Sequence, residues 1–262
     1  MPAANYFQNE LKKYQAIHAS EKITASANWT PIGPTSAIGL EEGIGRVQCF
    51  AMDPNNSNNY WAGTPGGGLW KSTNAGASWT TNTDDFVSLG ISSILINPSN
   101  SNIMYISTGD PDGRHTVSTG VLKSTDGGNT WTQTGLNFTT TQGKDIDQLK
   151  FLPNNPNVIL AATSDGIYRS SNAGTSWTLI NNTAYTYDIA FHPTNANIVY
   201  AVCSSNFVKS TDGGVTWSVI TSGLPTSLGD ARVAITPAAP NNVYILIAQG
   251  DFFKSTNSGT SF

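Results

Sequence analysis

Short runs of alternating apolar and polar residues recur along most of the chain, separated by clusters of Gly, Asn, Ser and Pro. Alternation with period two puts one side chain in and the next out, which is the signature of a half-buried strand. In the first such unit, Arg46 to Met52 reads as strand A, Tyr60 to Thr64 as strand B and Leu69 to Ser72 as strand C, and Trp79 opens strand D. Asp53-Pro54-Asn55-Asn56 between A and B is turn chemistry, since Pro presets φ and Asn tolerates left-handed geometry. The runs 92–97, 147–152, 188–192 and 232–236 read as strand A of four further units. Residues 5–24 break the alternation: Phe7, Leu11, Tyr14 and His18 follow helical spacing, which predicts one amphipathic N-terminal α-helix.

Two markers keep time through the units. The first is a short phrase: Ser72-x-Asn74-x-Gly76-x-x-Trp79, Ser124-x-Asp126-x-Gly128-x-x-Trp131 and Ser170-x-Asn172-x-Gly174-x-x-Trp177. Ser210-x-Asp212-x-Gly214-x-x-Trp217 and Ser255-x-Asn257-x-Gly259-x-x-Phe262 complete it. The second is a proline, at Pro54, Pro98, Pro153, Pro193 and Pro237, followed seven residues later by Trp61, Tyr105, Leu160, Tyr200 or Tyr244. A period of 40–52 residues with four strands per repeat predicts an all-β fold, a β-propeller of four-stranded antiparallel blades. The expected blades lie near 46–82, 91–134, 146–181, 187–221 and 231–262, within a propeller domain over 28–262 that follows a helical segment over 1–27.

The phrase has a local physical reading. The Asp or Asn side chain accepts hydrogen bonds from backbone N–H groups of its own turn, Gly supplies a positive φ, and the aromatic residue plugs between sheets. Three of the five copies carry Asn, so an acceptor is required and a charge is not. These acids are therefore expected to be structural, neither catalytic nor metal-binding.

The phrase resembles the Asp-box, or bacterial neuraminidase repeat, of sialidases, xyloglucan hydrolases, the sortilin luminal domain and photosystem assembly propellers. Gly45-Arg46-Val47 leading into Asp53-Pro54, then Gly67-Gly68-Leu69-Trp70-Lys71-Ser72, is similar to the opening blade of sortilin-like and xyloglucanase-like propellers. The resemblance spans about residues 29–262. It implies a secreted or cell-surface location, such as that of the large proteins of the type IX export route. It says little of chemistry, because one fold hosts many activities.

Composition narrows the partners. Charged residues make up 11% of the chain, against ~25% in an average soluble domain, and the net charge is −4. The four arginines, Arg46, Arg114, Arg169 and Arg232, lie far apart in sequence, so no basic patch points to nucleic acid. No apolar run approaches the ~20 residues of a membrane span, and Met1 to Tyr6 lacks the form of a secretory signal, which leaves a cytoplasmic chain or a mature or recombinant form; the family resemblance favours the second. Cys49 and Cys203 fall in the first and fourth units, which predicts two thiols, and no cofactor or metal spacing is present.

Asn28-Trp29-Thr30 resembles the strand-D openings Ser78-Trp79-Thr80 and Ser176-Trp177-Thr178. Two readings follow. Either residues 28–33 close a five-blade ring by completing the last blade, or the ring has further blades beyond Phe262.

Chemistry is expected on the face built by B–C and D–A loops. The second unit has the long B–C loop, Gly109-Asp110-Pro111-Asp112-Gly113-Arg114-His115-Thr116, which gathers two carboxylates, a guanidinium and an imidazole. Asp110 and Asp112 are the candidate catalytic acids, and Arg114 and His115 the candidate ligand contacts; the competing reading is a solvated turn. Asp110 and Asp112 also have the alternate spacing of a calcium loop, without its later ligands. Asp84, Asp85, Lys144, Asp145 and Asp230 in D–A loops, and Glu41 and Glu42 before the first strand, complete the charged candidates. Phe86, Phe138, Tyr185 and Tyr187 are loop aromatics able to stack on sugar rings. The resemblance weighs against hydrolysis, because the position matching one catalytic Asp of xyloglucan hydrolases is Pro65 and the sialidase Arg-Ile-Pro signature is missing. The expected function is a non-catalytic module, part of a larger exported protein, that binds a glycan or protein ligand; the alternative is a glycoside hydrolase or a fragment of one.

Overall fold

A computed structural model describes residues 45–182 and 184–262. The N-terminal helix, the strand at 28–33, and Glu41 and Glu42 lie outside the described residues. Blade 1 comprises β1 (Cys49–Asp53), β2 (Asn56–Gly63), β3 (Leu69–Ser72) and β4 (Thr80–Thr81). Blade 2 comprises β5 (Ile91–Ile96), β6 (Met104–Thr108), β7 (Gly120–Ser124) and β8 (Thr132–Asn137). Blade 3 follows with β9 (Ile146–Leu152), β10 (Asn155–Thr163), β11 (Gly166–Ser170) and β12 (Thr178–Asn181). Blade 4 has β13 (Thr186–His192), β14 (Asn195–Cys203), β15 (Phe207–Ser210) and β16 (Ser218–Ile220). Blade 5 has three strands, β17 (Ala231–Thr236), β18 (Ala239–Ile247) and β19 (Phe252–Ser255). Every blade is an antiparallel meander in sequence order, as a propeller blade requires. The helical content of the described residues is one 3-10 turn, Thr140–Gln142.

The repeated phrase forms the β3–β4, β7–β8, β11–β12 and β15–β16 turns and the turn after β19. In all five the Ser hydroxyl, buried at 0–1% exposure, donates to the Asn or Asp Oδ1 at 2.7–3.0 Å. The same hydroxyl oxygen accepts from the Gly N–H at 2.8–3.0 Å. Oδ1 also accepts from the backbone N–H four residues on. The other side-chain atom decides the partner at that fourth position. Asn74, Asn172 and Asn257 donate their amide to Ser78, Ser176 and Ser261, whereas Asp126 and Asp212 accept from the hydroxyls of Thr130 and Thr216. Those hydroxyl and amide donors hold both Asp carboxyls below the ordinary carboxylate value, Asp212 at about 2 although burial opposes the shift.

Blades 1 to 4 are each joined to the next where the large side chain seven residues past the proline meets the next blade's turn. Trp61, Tyr105, Leu160 and Tyr200 are 0–2% exposed. Each lies where a Cβ on the next turn's glycine, Gly128, Gly174, Gly214 or Gly259, would touch it. A cation beside that side chain completes the joint: Lys71, Lys123, Arg169 and Lys209 donate to the carbonyls of Gly127, Ala173, Gly213 and Ser258. The Tyr105 and Tyr200 hydroxyls donate to two of the same carbonyls, at 2.9 and 3.1 Å. Four apolar clusters fill the spaces between successive blades around these joints. Burial of one such large side chain stabilises by about 1.5–3 kcal/mol.

Ser210→Ala removes a buried donor and acceptor at once and leaves the Gly214 amide without its partner. The expected cost is about 1–3 kcal/mol in urea unfolding; Ser218→Ala, on an exposed strand position, is the control and should change little.

Candidate functional site

The inner strand of each blade carries at least one polar residue five or six positions before its proline, where an ordinary core strand would be apolar. The residues at the fifth position are Cys49, Ser93, Gln148, Asp188 and Arg232. Three of them reach across to the next inner strand. Ser93 Oγ accepts from the Leu149 amide at 3.1 Å, Gln148 Oε1 from Ile189 at 3.0 Å and Asp188 Oδ2 from Val233 at 3.0 Å. The five inner strands thereby share one lining, around a cavity of about 380 Å³ to which residues of every blade contribute.

The long loop between β6 and β7 brings Pro111 and Asp112 to the edge of that cavity. Asp110 is fully buried, where it accepts from the Gly113 amide at 3.2 Å and pairs with Arg46. This pairing ties the loop to the start of blade 1. Asp112 is exposed and accepts from Gln48 Nε2 at 2.7 Å, with Arg46 and Arg232 both 3.9 Å away. Arg232 is also paired with Asp230. Asp110 and Asp112, two residues apart, are thus separated by environment: one is a buried anchor, the other faces the cavity among cations.

Arg114 has the left-handed φ of 54° and is exposed; burial pushes the Asp145 carboxyl up, and the charge of Arg114 opposes that shift. His115 turns to a separate groove beside Phe86 and Thr116. The loop thus divides its two ligand candidates between different surfaces. Lys144 pairs with Asp165, and Asp84 is exposed. Asp85, Phe86 and Phe138 border another groove, of about 540 Å³, at the foot of Trp131. Tyr185 and Tyr187 stack with ring centres 4.6 Å apart, and Tyr187 lines the central cavity.

Asp147 was hidden in the strand pattern. Burial pushes its carboxyl up to about 8, against the opposing hydrogen bond from Tyr185 and the charge of Arg232. Burial also raises Asp145 and Asp188, and raises the Tyr185 hydroxyl beside Asp147. Asp147 Oδ2, Gln48 Oε1 and Asp110 Oδ2 are buried oxygens without a hydrogen-bond partner among the described residues. Polar residues at successive inner-strand positions were the available signal. Among the described residues no cluster of three or more His, Cys, Asp or Glu could hold a metal ion. Cys49 and Cys203 are free thiols, and burial pushes Cys49 up to about 12.

Asp147 is protonated in the folded chain at a pH where the unfolded chain has lost that proton. Its contribution therefore declines as pH rises from about 4 to about 8 and is level above. Asp147→Asn should flatten the thermal-stability profile across that window and melt higher than the parent at pH 8; equal melting temperatures at pH 8 would contradict the shift.

A sequence model of the Sortilin-Vps10 family, described as sortilin, neurotensin receptor 3, matches residues 67–202, more than half of the chain. No curated protein matches. Among solved structures, an ancestral GH74 enzyme is similar at 25% identity and a TM-score of 0.62, over 88% of this chain and 33% of its own. The GH74 xyloglucanase from Xanthomonas campestris is similar at 19% identity and a TM-score of 0.61, over 81% of this chain and 36% of its own. YCF48 bound to D1 peptide is similar at 15% identity and a TM-score of 0.52, over 83% of this chain and 80% of its own. The chain thus spans about a third of the length of the GH74 enzymes it matches.

Proposed function

The chain belongs to the Sortilin-Vps10 family, and on that premise we propose that it is a ligand-binding propeller module of the Asp-box type. Its place is in a larger secreted or cell-surface protein, of the kind the type IX route exports, and its ligand is a glycan or protein seated at the mouth of the central cavity. One observation carries this reading: Gln48 Oε1 and Asp147 Oδ2, both on residues that line the cavity, are buried oxygens without a hydrogen-bond partner among the described residues. A buried acceptor left unpaired costs roughly 1–3 kcal/mol, and a ligand bearing hydroxyl or amide donors would satisfy it. Around these acceptors Arg232, Asp112 and Tyr187 offer a cation, an anion and a ring face. Such a mixture suits a neutral, hydrogen-bonding ligand better than a highly charged one. YCF48, a propeller of similar fold, is solved with a bound peptide, which supports a protein ligand; the GH74 likeness supports a glycan.

Hydrolysis is the second reading, and Asp147 is what favours it. A carboxylic acid that keeps its proton near neutrality, lining the same cavity as Asp112, has the divided roles of a general acid and a base. In that reading Asp110 is the anchor of the loop, and Asp112 and Asp147 do the chemistry.

A glycan array and a peptide array, each probed with the parent chain and with Arg232→Ala and Asp147→Asn, separate the readings. Binding that falls at least tenfold in both variants supports the module; binding that neither variant changes rejects the cavity mouth as the site. A reducing-sugar assay on xyloglucan then asks about turnover: activity lost in both Asp112→Asn and Asp147→Asn assigns hydrolysis to the pair, and full activity in either removes it.

A further inference from the structure

One connection between blades turns an apolar side chain out to water although its backbone is held on both sides. This is the segment 82–90, between β4 and β5. Asn82 Nδ2 donates to the carbonyls of Gly128 and Asn129 at 3.1 and 2.8 Å, and the buried Thr83 hydroxyl accepts from the Leu69 amide at 2.9 Å. Further along, Ser88 Oγ donates to the Val117 carbonyl at 2.7 Å, and the Leu89 carbonyl accepts from the Gly68 amide at 2.9 Å. Between these ties Val87 is 82% exposed, the most exposed large apolar side chain among the described residues. The connection between blades 4 and 5 does the opposite: its Leu228 is 1% exposed, and Leu224 packs on the same core.

Val87 does not stand alone. Two hollows flank it and its neighbour Phe86. One, of about 540 Å³, passes Leu122 and Phe138 to reach Trp131; the other, of about 390 Å³, passes Leu89 and Val117 to reach His115. Phe86, Val87 and Thr140 line both, so the two adjoin as one groove along blade 2. The groove shares no lining residue with the central cavity.

Its charge is of one sign. Asp85 lines it and Asp84 is next in the chain; both are exposed, and neither carboxylate has a hydrogen bond or ion pair. Most other acids of the propeller are matched: Asp110 with Arg46, Asp165 with Lys144, Asp230 with Arg232, and Asp126 and Asp212 within their own turns. Among the described residues no lysine or arginine lines either hollow. We propose that this groove docks an extended segment of a protein partner in which Lys or Arg stands beside apolar residues. The apolar side chains of that segment cover Phe86, Val87 and Phe138, and its cation supplies the counter-charge that Asp84 and Asp85 lack. A neutral glycan would leave both carboxylates unmatched, and an acidic segment would be repelled. This inference is independent of the ligand proposed for the central cavity.

A phage-displayed library of random linear peptides, cleared on a chain carrying Asp84→Asn, Asp85→Asn and Val87→Ser, is then selected on the parent. It should enrich sequences with Lys or Arg next to apolar residues. The leading peptide, synthesised with a fluorophore, should bind the parent in anisotropy titrations. The paired Asp84→Asn and Asp85→Asn variant, and Val87→Ser alone, should each bind it at least tenfold more weakly. All three side chains are exposed, so these variants fold. Added salt should weaken binding to the parent more than binding to the paired variant. Asp251→Asn, which removes an exposed acid of blade 5, should bind as the parent does. No enrichment, enriched peptides without a basic residue, or binding that survives both the paired and the Val87 variants would each overturn the proposal. Val87 methyl signals that shift with cello-oligosaccharides and not with the peptide would give the groove to a glycan and overturn it as well.

Discussion

Everything in this propeller depends on one contact: a large side chain of one blade held beneath the glycine of the next blade's turn, with a cation beside it bound to that turn's carbonyl. The turn alone is local chemistry, a serine hydroxyl and a carboxylate or amide closing a few backbone groups. Its left-handed glycine leaves a hollow with no Cβ, and the hollow is filled from outside, by Trp61, Tyr105, Leu160 or Tyr200. The turn is therefore a socket as much as a stop. Sheets joined this way share apolar clusters that belong to no single blade, and the inner strands are carried close enough to exchange side-chain hydrogen bonds.

The central cavity follows from that arrangement. Once the outer joints set the blades side by side, the innermost strands face one another, and whatever they carry becomes the lining. Here it is polar. Ser93, Gln148 and Asp188 spend their acceptors on the next strand, and Asp147 and Gln48 keep one free. The long loop of blade 2 leans over this lining because Asp110 is anchored on Arg46, which leaves Asp112 at the edge among arginines. A buried acid, an exposed acid and two guanidinium groups are thus brought together from four blades whose sequence positions are far apart.

Much of the fold was legible in the sequence, and the reasons are local. β3 runs over Leu69–Ser72 as its alternation predicts, and β9, β13 and β17 begin within two residues of their expected starts. The use of Asn or Asp as an acceptor was readable from three Asn copies among five. The pairing of Asn with Ser and Asp with Thr four residues on was also on the page, but its cause, donor against acceptor at the second side-chain atom, needed coordinates. The loop of Asp110 and Asp112 was visible as an insertion. What each acid does was not, since burial of one and exposure of the other depends on Arg46 and Arg232, 64 and 120 residues away from Asp110 and Asp112 respectively. Asp147 escaped for a related reason: an acid in a strand reads as a solvent-facing position until the ring of blades turns that face inward.

The central claim is that the joint, and not the turn's own chemistry, carries the stability. Amide hydrogen exchange in dilute solution, read at the glycine of each turn, tests it directly. All five amides donate to a buried serine hydroxyl at nearly the same distance, so local chemistry alone gives them equal protection. The account predicts slow exchange at Gly128, Gly174, Gly214 and Gly259, comparable to the inner strands, and clearly faster exchange at Gly76, where the nearest described side chains are Tyr60 and Trp79 of its own blade. Equal rates at all five would contradict it.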